Sequence, residues 1–135
     1  MRYAFVACSG LFLLVACVMA LSATDAALMA AQKGNPIPAT EESITKGRQI
    51  FQRFCRSCHG AEGRGDGGGG PDGVQVANLA DDKWDHGSTD VEIFKTIKEG
   101  VPPDMYMEPW EGRISDDDIW NTINYIRDLG KRAKG

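Results

Sequence analysis

The chain predicts an all-α fold, a small domain of three main helices joined by long loops. Three observations predict it. Capping boxes at Thr89-Asp90-Val91-Glu92 and Ser115-Asp116-Asp117-Asp118 each open an apolar pattern of helical period. A glycine-dense stretch from Gly60 to Leu79 can hold no regular element without tertiary help. No run alternates apolar with polar residues as a half-buried strand would.

The first helix is expected from Thr40 or Glu41 to about Cys55. Thr40 is a suitable N-cap, and Glu41 and Glu42 suit the positive end of a helix. Ile44, Phe51 and Phe54 form one apolar side, with Gly47 on it as a point of close approach for another helix. The second helix starts after Thr89, buries Ile93, Phe94 and Ile97, and stops at Gly100, with Pro102 and Pro103 forbidding continuation. The third starts after Ser115 and carries Ile119, Ile123 and Ile126 at helical spacing, widened by Trp120 and Tyr125. Gly130 is expected to end it, with Lys131, Arg132 and Lys134 complementing its negative end. The glycines of the long loop follow no strand and lack the lysine and hydroxyl of a phosphate-binding loop.

A length of 135 residues fits one folded domain. The formal net charge of −4 argues against a nucleic-acid binder, which needs a basic patch or stripe. Residues 1–26 are of different material: Arg2, a nearly unbroken apolar run from Tyr3 to Leu21, then small residues. This is the layout of a secretory signal peptide. Two readings compete with it. Leu14-Val15-Ala16-Cys17 resembles a lipoprotein signal, in which Cys17 would carry lipid. The run also approaches the ~20 apolar residues of an uncleaved anchor. Each reading places the working domain outside the cytoplasm, in the periplasm, with membrane contact only if the N-terminus is lipidated or uncleaved. Residues 27–40, with Gly34, Asn35, Pro36 and Pro38, read as a flexible linker, and 41–135 as the functional domain.

Outside the export segment two cysteines remain, in Cys55-Arg56-Ser57-Cys58-His59. Cys-x-x-Cys-His is the attachment signature of c-type haem. Two thiols three residues apart at a helix end can each bond one vinyl group of the same porphyrin. The adjoining imidazole is then held where it can ligate the iron. A structural zinc site needs four ligands, and the domain offers only these three and the distant His86. A thioredoxin-like pair needs a βαβ setting, and a plain disulfide leaves His59 without a role. A haem would also supply the apolar centre that so small a domain lacks. For the second axial position the candidates are His86, Met105 and Met107. The two methionines lie in a proline-rich, non-helical segment between capped helices, a suitable strap across a haem.

On these residues the chain resembles the class I cytochromes c from about Thr45 to Leu129. The resemblance rests on Gly47-x-x-x-Phe51 leading into Cys55-x-x-Cys58-His59-Gly60, on the strap Met107-Glu108-Pro109-Trp110, and on the closing helix with Tyr125 at its aromatic position. It implies one covalent haem c held by Cys55 and Cys58. The iron would lie between His59 as proximal ligand and Met107 as distal ligand. Met107 falls at the family's methionine when counted back from Ser115; Met105 is the alternative. Family members often place proline directly after the methionine, whereas here Glu108 intervenes. The family also uses a backbone carbonyl to accept the histidine N–H, for which Pro71 and Val76 are the candidates. Trp84 and Trp110 are candidates for the haem edge, and Arg113 for a propionate. The function implied is electron transfer rather than enzymatic turnover. The implied partners are a periplasmic dehydrogenase as donor and an oxidase or membrane electron-transfer complex as acceptor. The alternatives are a small haem enzyme and a small-molecule sensor, each with an open sixth site.

Overall fold

The computed structural model describes residues 34–135. The export segment expected at 1–26 and the start of the linker lie outside them. The described residues form α1 (Glu41–Phe54), a single turn α2 (Arg56–His59), α3 (Asp90–Glu99) and α4 (Asp116–Arg132). Among them there is no strand, and no helix is long and apolar enough to cross a membrane.

The helix starts follow from their caps. Thr40 Oγ1 accepts the Ser43 N–H, and the Thr89–Glu92 capping box is reciprocal, with the Glu92 carboxylate accepting the Thr89 N–H at 2.9 Å. At Ser115 the exchange differs. Its hydroxyl accepts the Asp118 N–H at 3.2 Å and donates to the Asp118 carboxylate at 2.8 Å. Aspartate is one methylene shorter than glutamate, and here it meets the cap's hydroxyl, as Glu92 does at Thr89, without the bond to the cap's backbone N–H.

α1 and α4 cross at Gly47. A Cβ built there would collide with the Asn121 carbonyl, so the bare glycine is what lets the two backbones meet. Phe51, fully buried, presents its ring edge-on to Tyr125 at a centroid separation of 5.3 Å. Ile119, Ile123, Ile126 and Leu129 of α4 and Ile93 and Ile97 of α3 complete the core. Each such side chain contributes roughly 1.5–3 kcal/mol of burial free energy. Phe94 stacks on Trp120 at 4.1 Å and joins α3 to α4.

Two expectations change. α4 does not end at Gly130: it runs two residues further, where Arg132 bonds Asp128 one turn back at 2.9 Å and the Ala133 N–H reaches Leu129 O at 3.0 Å. Glycine weakens a helix interior by only about 1 kcal/mol, which those bonds offset. Residues 34–40, at the end of the segment read as a flexible linker, are held against α4. The Asn35 amide donates to Trp120 O at 2.8 Å and to Asn124 Oδ1 at 2.9 Å, and the Asn124 amide donates to Ile37 O at 3.0 Å. Asn124 also donates to Ser43 Oγ, which in turn donates to Asn121 Oδ1 at 2.7 Å. This buried polar network ties the entry of α1 to α4.

Candidate functional site

α1 ends at Phe54: Cys55 keeps a right-handed backbone, with φ −108° and ψ −32°, and the chain continues as a separate helical turn from Arg56. That turn carries Ser57, Cys58 and His59. Its carbonyls, which a helix end leaves unpaired, are taken up by the glycine-dense loop. Gly65 N–H donates to His59 O at 2.8 Å, Gly67 to Cys58 O at 3.2 Å and Gly69 to Ser57 O at 2.8 Å. The loop that held no regular element in the sequence is thus laced, residue by alternate residue, onto the Cys-x-x-Cys-His turn.

A cavity of about 700 Å³ opens beside this turn, and Cys55, Cys58, His59 and Met107 are all in its wall. Ile93, Ile97 and Ile126 of the core supply part of its apolar lining. The structure therefore brings together four residues singled out in the sequence, from positions up to 52 residues apart. Met105 is outside that wall. Its backbone has φ +54° and its side chain is 41% exposed. His86 also reaches the wall, from an exposed loop position.

His59 is buried, and its Nδ1 lies 3.1 Å from Ala77 O. A carbonyl only accepts, so Nδ1 carries the proton and Nε2 keeps its lone pair. Burial pushes the imidazole below its ordinary range, against the opposing pull of the Ala77 carbonyl. The ring is thus neutral and oriented, with its Nε2 lone pair left unprotonated. The orienting carbonyl is neither Pro71 nor Val76 but that of Ala77. The neighbouring Val76 carbonyl instead faces Gly65, so a shift of one residue decides which one faces the ring. Burial also pushes the Cys55 thiol up to about 12, with neighbouring Cys58 adding to the effect.

The strap leaves the end of α3, closes on itself and is bonded back to α3 at its far end. Val101 N–H donates to Met107 O at 3.0 Å, Trp110 N–H to Ile97 O at 3.1 Å, and Glu111 N–H to Lys98 O at 3.1 Å. Of the two tryptophans, Trp84 is in the cavity wall, with the Arg127 guanidinium over its ring at 5.3 Å. Trp110 stands behind the wall. Its ring packs edge-on against Phe54 at 5.5 Å, and Arg113 covers it at 4.2 Å. Arg113 pairs with Glu108 at 3.2 Å and does not line the cavity.

Residues 42–126 match the family model of cytochrome c oxidase, cbb3-type, subunit III. The chain belongs to this family. It is 34% identical over 102 residues to the cbb3-type cytochrome c oxidase subunit CcoP of Azospirillum brasilense, covering 67% of this chain and 32% of that protein. To the subunit FixP of Bradyrhizobium diazoefficiens it is 35% identical over 85 residues, 63% of this chain and 27% of that protein. The chain thus spans about a third of the length of these relatives. Among solved structures, the reducing HAO-like protein complex of Kuenenia stuttgartiensis contains a chain that superposes with a TM-score of 0.62 at 25% identity. The match covers 70% of this chain and 46% of that one.

The domain is therefore a c-type cytochrome domain of class I kind, an electron-transfer module whose cofactor is covalently bound haem c. The cavity fits that group. Its volume falls within the ~300–1,000 Å³ of cofactor sites, its lining is largely apolar, and its donors are two thiols, a neutral imidazole and a thioether.

Proposed function

We propose that this domain carries single electrons between redox proteins outside the cytoplasm. In this reading Cys55 and Cys58 bind the haem covalently, His59 is the proximal iron ligand and Met107 the distal one. The observation that carries it is the meeting of all four residues in the wall of one cavity. Each thiol adds its sulfur and its proton across one vinyl group, so neither cysteine remains to titrate. Haem iron supplies a one-electron couple, and the soft methionine sulfur favours the ferrous state and raises its potential.

The chain's own residues make the site a carrier rather than a catalyst. Ala77 O holds the His59 ring so that Nε2 is the ligating atom. Val101 and Gly100 hold the Met107 segment from the far end of α3. With His59 and Met107 holding the iron of a bound haem, no position would be left for a substrate, and the group would supply one-electron exchange with a docked partner. The relatives named above are oxidase subunits. The acceptor is accordingly a membrane oxidase or a complex feeding one, and the donor a periplasmic dehydrogenase or respiratory complex. Export by residues 1–26 delivers the domain to the periplasm.

The test is the absorption spectrum of the haem-bearing protein, oxidised and reduced, beside that of Met107→Ala. The wild type is expected to be low-spin and to show the weak red methionine-to-ferric-iron band, and the variant to lose it. A wild type that is already high-spin, or that binds carbon monoxide readily, would mean an open sixth site and overturn the carrier reading.

A further inference from the structure

We infer that Gly100 is a positioning residue for Met107, one that acts through its missing side chain. The inference rests on the reading of Met107 as the distal ligand. Gly100 is the C-cap of α3, where its N–H donates to Thr96 O at 3.0 Å, and it is buried. Its backbone, at φ +77° and ψ −175°, occupies a region that is essentially closed to residues with a side chain. The space where a side chain would stand is filled by the strap. A Cβ there would come to 2.7 Å from Met107 O, 2.9 Å from Pro109 N and 3.1 Å from Pro109 Cδ. The next residue, Val101, donates its N–H to that same Met107 carbonyl at 3.0 Å, and its own carbonyl accepts the Met105 N–H at 3.0 Å.

These contacts describe a seat. The Met107 carbonyl presses against bare Cα at Gly100 and is held there by the Val101 amide. With the carbonyl fixed on the α3 side, the backbone orientation at Met107 is fixed as well. Met105, two residues earlier, is held by a backbone bond yet is exposed and outside the cavity wall. The choice of Met107 over Met105 is therefore made by the backbone of residues 100 and 101. Gly112 has a similar φ of +74°, but nothing stands within 4 Å of where its Cβ would be. Alanine at Gly112 adds backbone strain without displacing anything. Alanine at Gly100 adds strain and evicts the Met107 carbonyl.

The experiment compares haem-bearing wild type, Gly100→Ala, Gly112→Ala and Met107→Ala. The readouts are the red methionine–iron band, the reduction potential and carbon monoxide binding to the ferrous protein. Gly100→Ala is expected to weaken the band, lower the potential and raise the fraction with an open sixth position roughly tenfold or more, given strain and eviction together. Gly112→Ala is expected to keep the wild-type band and potential. If Met107→Ala retains the band, the ligand reading fails. If Met107→Ala loses it while Gly100→Ala keeps full band and potential, the ligand reading stands and the positioning role is overturned. Equal effects at Gly100 and Gly112 also overturn it, since strain alone would then account for both. Should Gly100→Ala not accumulate with haem, α-hydroxyvaline at position 101 removes the Val101 N–H without adding bulk. That ester is expected to lose the band at lower denaturant than wild type, and an unchanged midpoint overturns the proposal.

Discussion

The two walls of the cavity that carry its iron-binding candidates are built by opposite means. On the histidine side, five consecutive residues put both thiols and the imidazole in place, at the end of α1 and through the single turn of α2. On the methionine side there is no regular structure, and a strap of about ten residues is held by backbone bonds to the end of α3. A locally encoded half-site tolerates change elsewhere in the fold. A half-site suspended from another element inherits that element's stability. The difference teaches that the methionine side should loosen first.

The strongest way to break the comparison is to remove the local code. With Cys55→Ala and Cys58→Ala together, covalently retained haem is expected to fall to none after acidic organic extraction, whatever the state of the strap. Next is Gly47→Val, which forces α1 off α4 beneath the histidine side. Overpacking against the Asn121 backbone should destabilise the domain by ~3 kcal/mol, seen as a lower denaturant midpoint of the haem-bearing protein. Trp110→Ala sharpens the comparison from the other side. Its ring links the strap to Phe54, and its half-burial sets the loss at about 2 kcal/mol, below that of a fully buried aromatic. The methionine–iron band should fade in denaturant before the covalent haem environment changes, and simultaneous loss of both would contradict the unequal stability of the two sides. The smallest effect is expected for Thr89→Ala, about 1 kcal/mol from the start of α3, with Thr89→Asp restoring most of it.

The same contrast explains what was legible in the sequence. The three helices could be placed because Thr40, Thr89 and Ser115 are cap residues whose signal is local. Cys55, Cys58 and His59 form a contiguous motif, and they line the same cavity as Met107. Between Met105 and Met107 the residues alone did not decide. The structure puts Met107, not Met105, in the cavity wall, and what separates their placement is a positive φ at Met105 and the contacts of Met107 O with Gly100, neither of which is written in the strap's composition. The Ala77 carbonyl lies one residue from the candidate Val76, because which carbonyl meets the ring depends on how the loop is laced to the turn. The Asn35–Asn124 contact joins residues 89 apart, and no periodic pattern reports such a pair. Gly130 misled because a lone glycine reads as a stop, while the Arg132–Asp128 bond that carries α4 past it is an ordinary charged pair until the helix exists.

That asparagine contact has a mechanical consequence. Tension applied at the N-terminal edge of the domain meets Asn35 before it meets α1. The load passes through the side-chain hydrogen bonds of Asn35 and Asn124 into the middle of α4, the helix that also supplies Ile126 to the cavity wall. A pull from that end is thus transmitted to the core helix and the first turn of α1 before it reaches the attachment turn. Those few side-chain bonds act as a fuse, yielding under force before the segment that holds the two thiols begins to unwind.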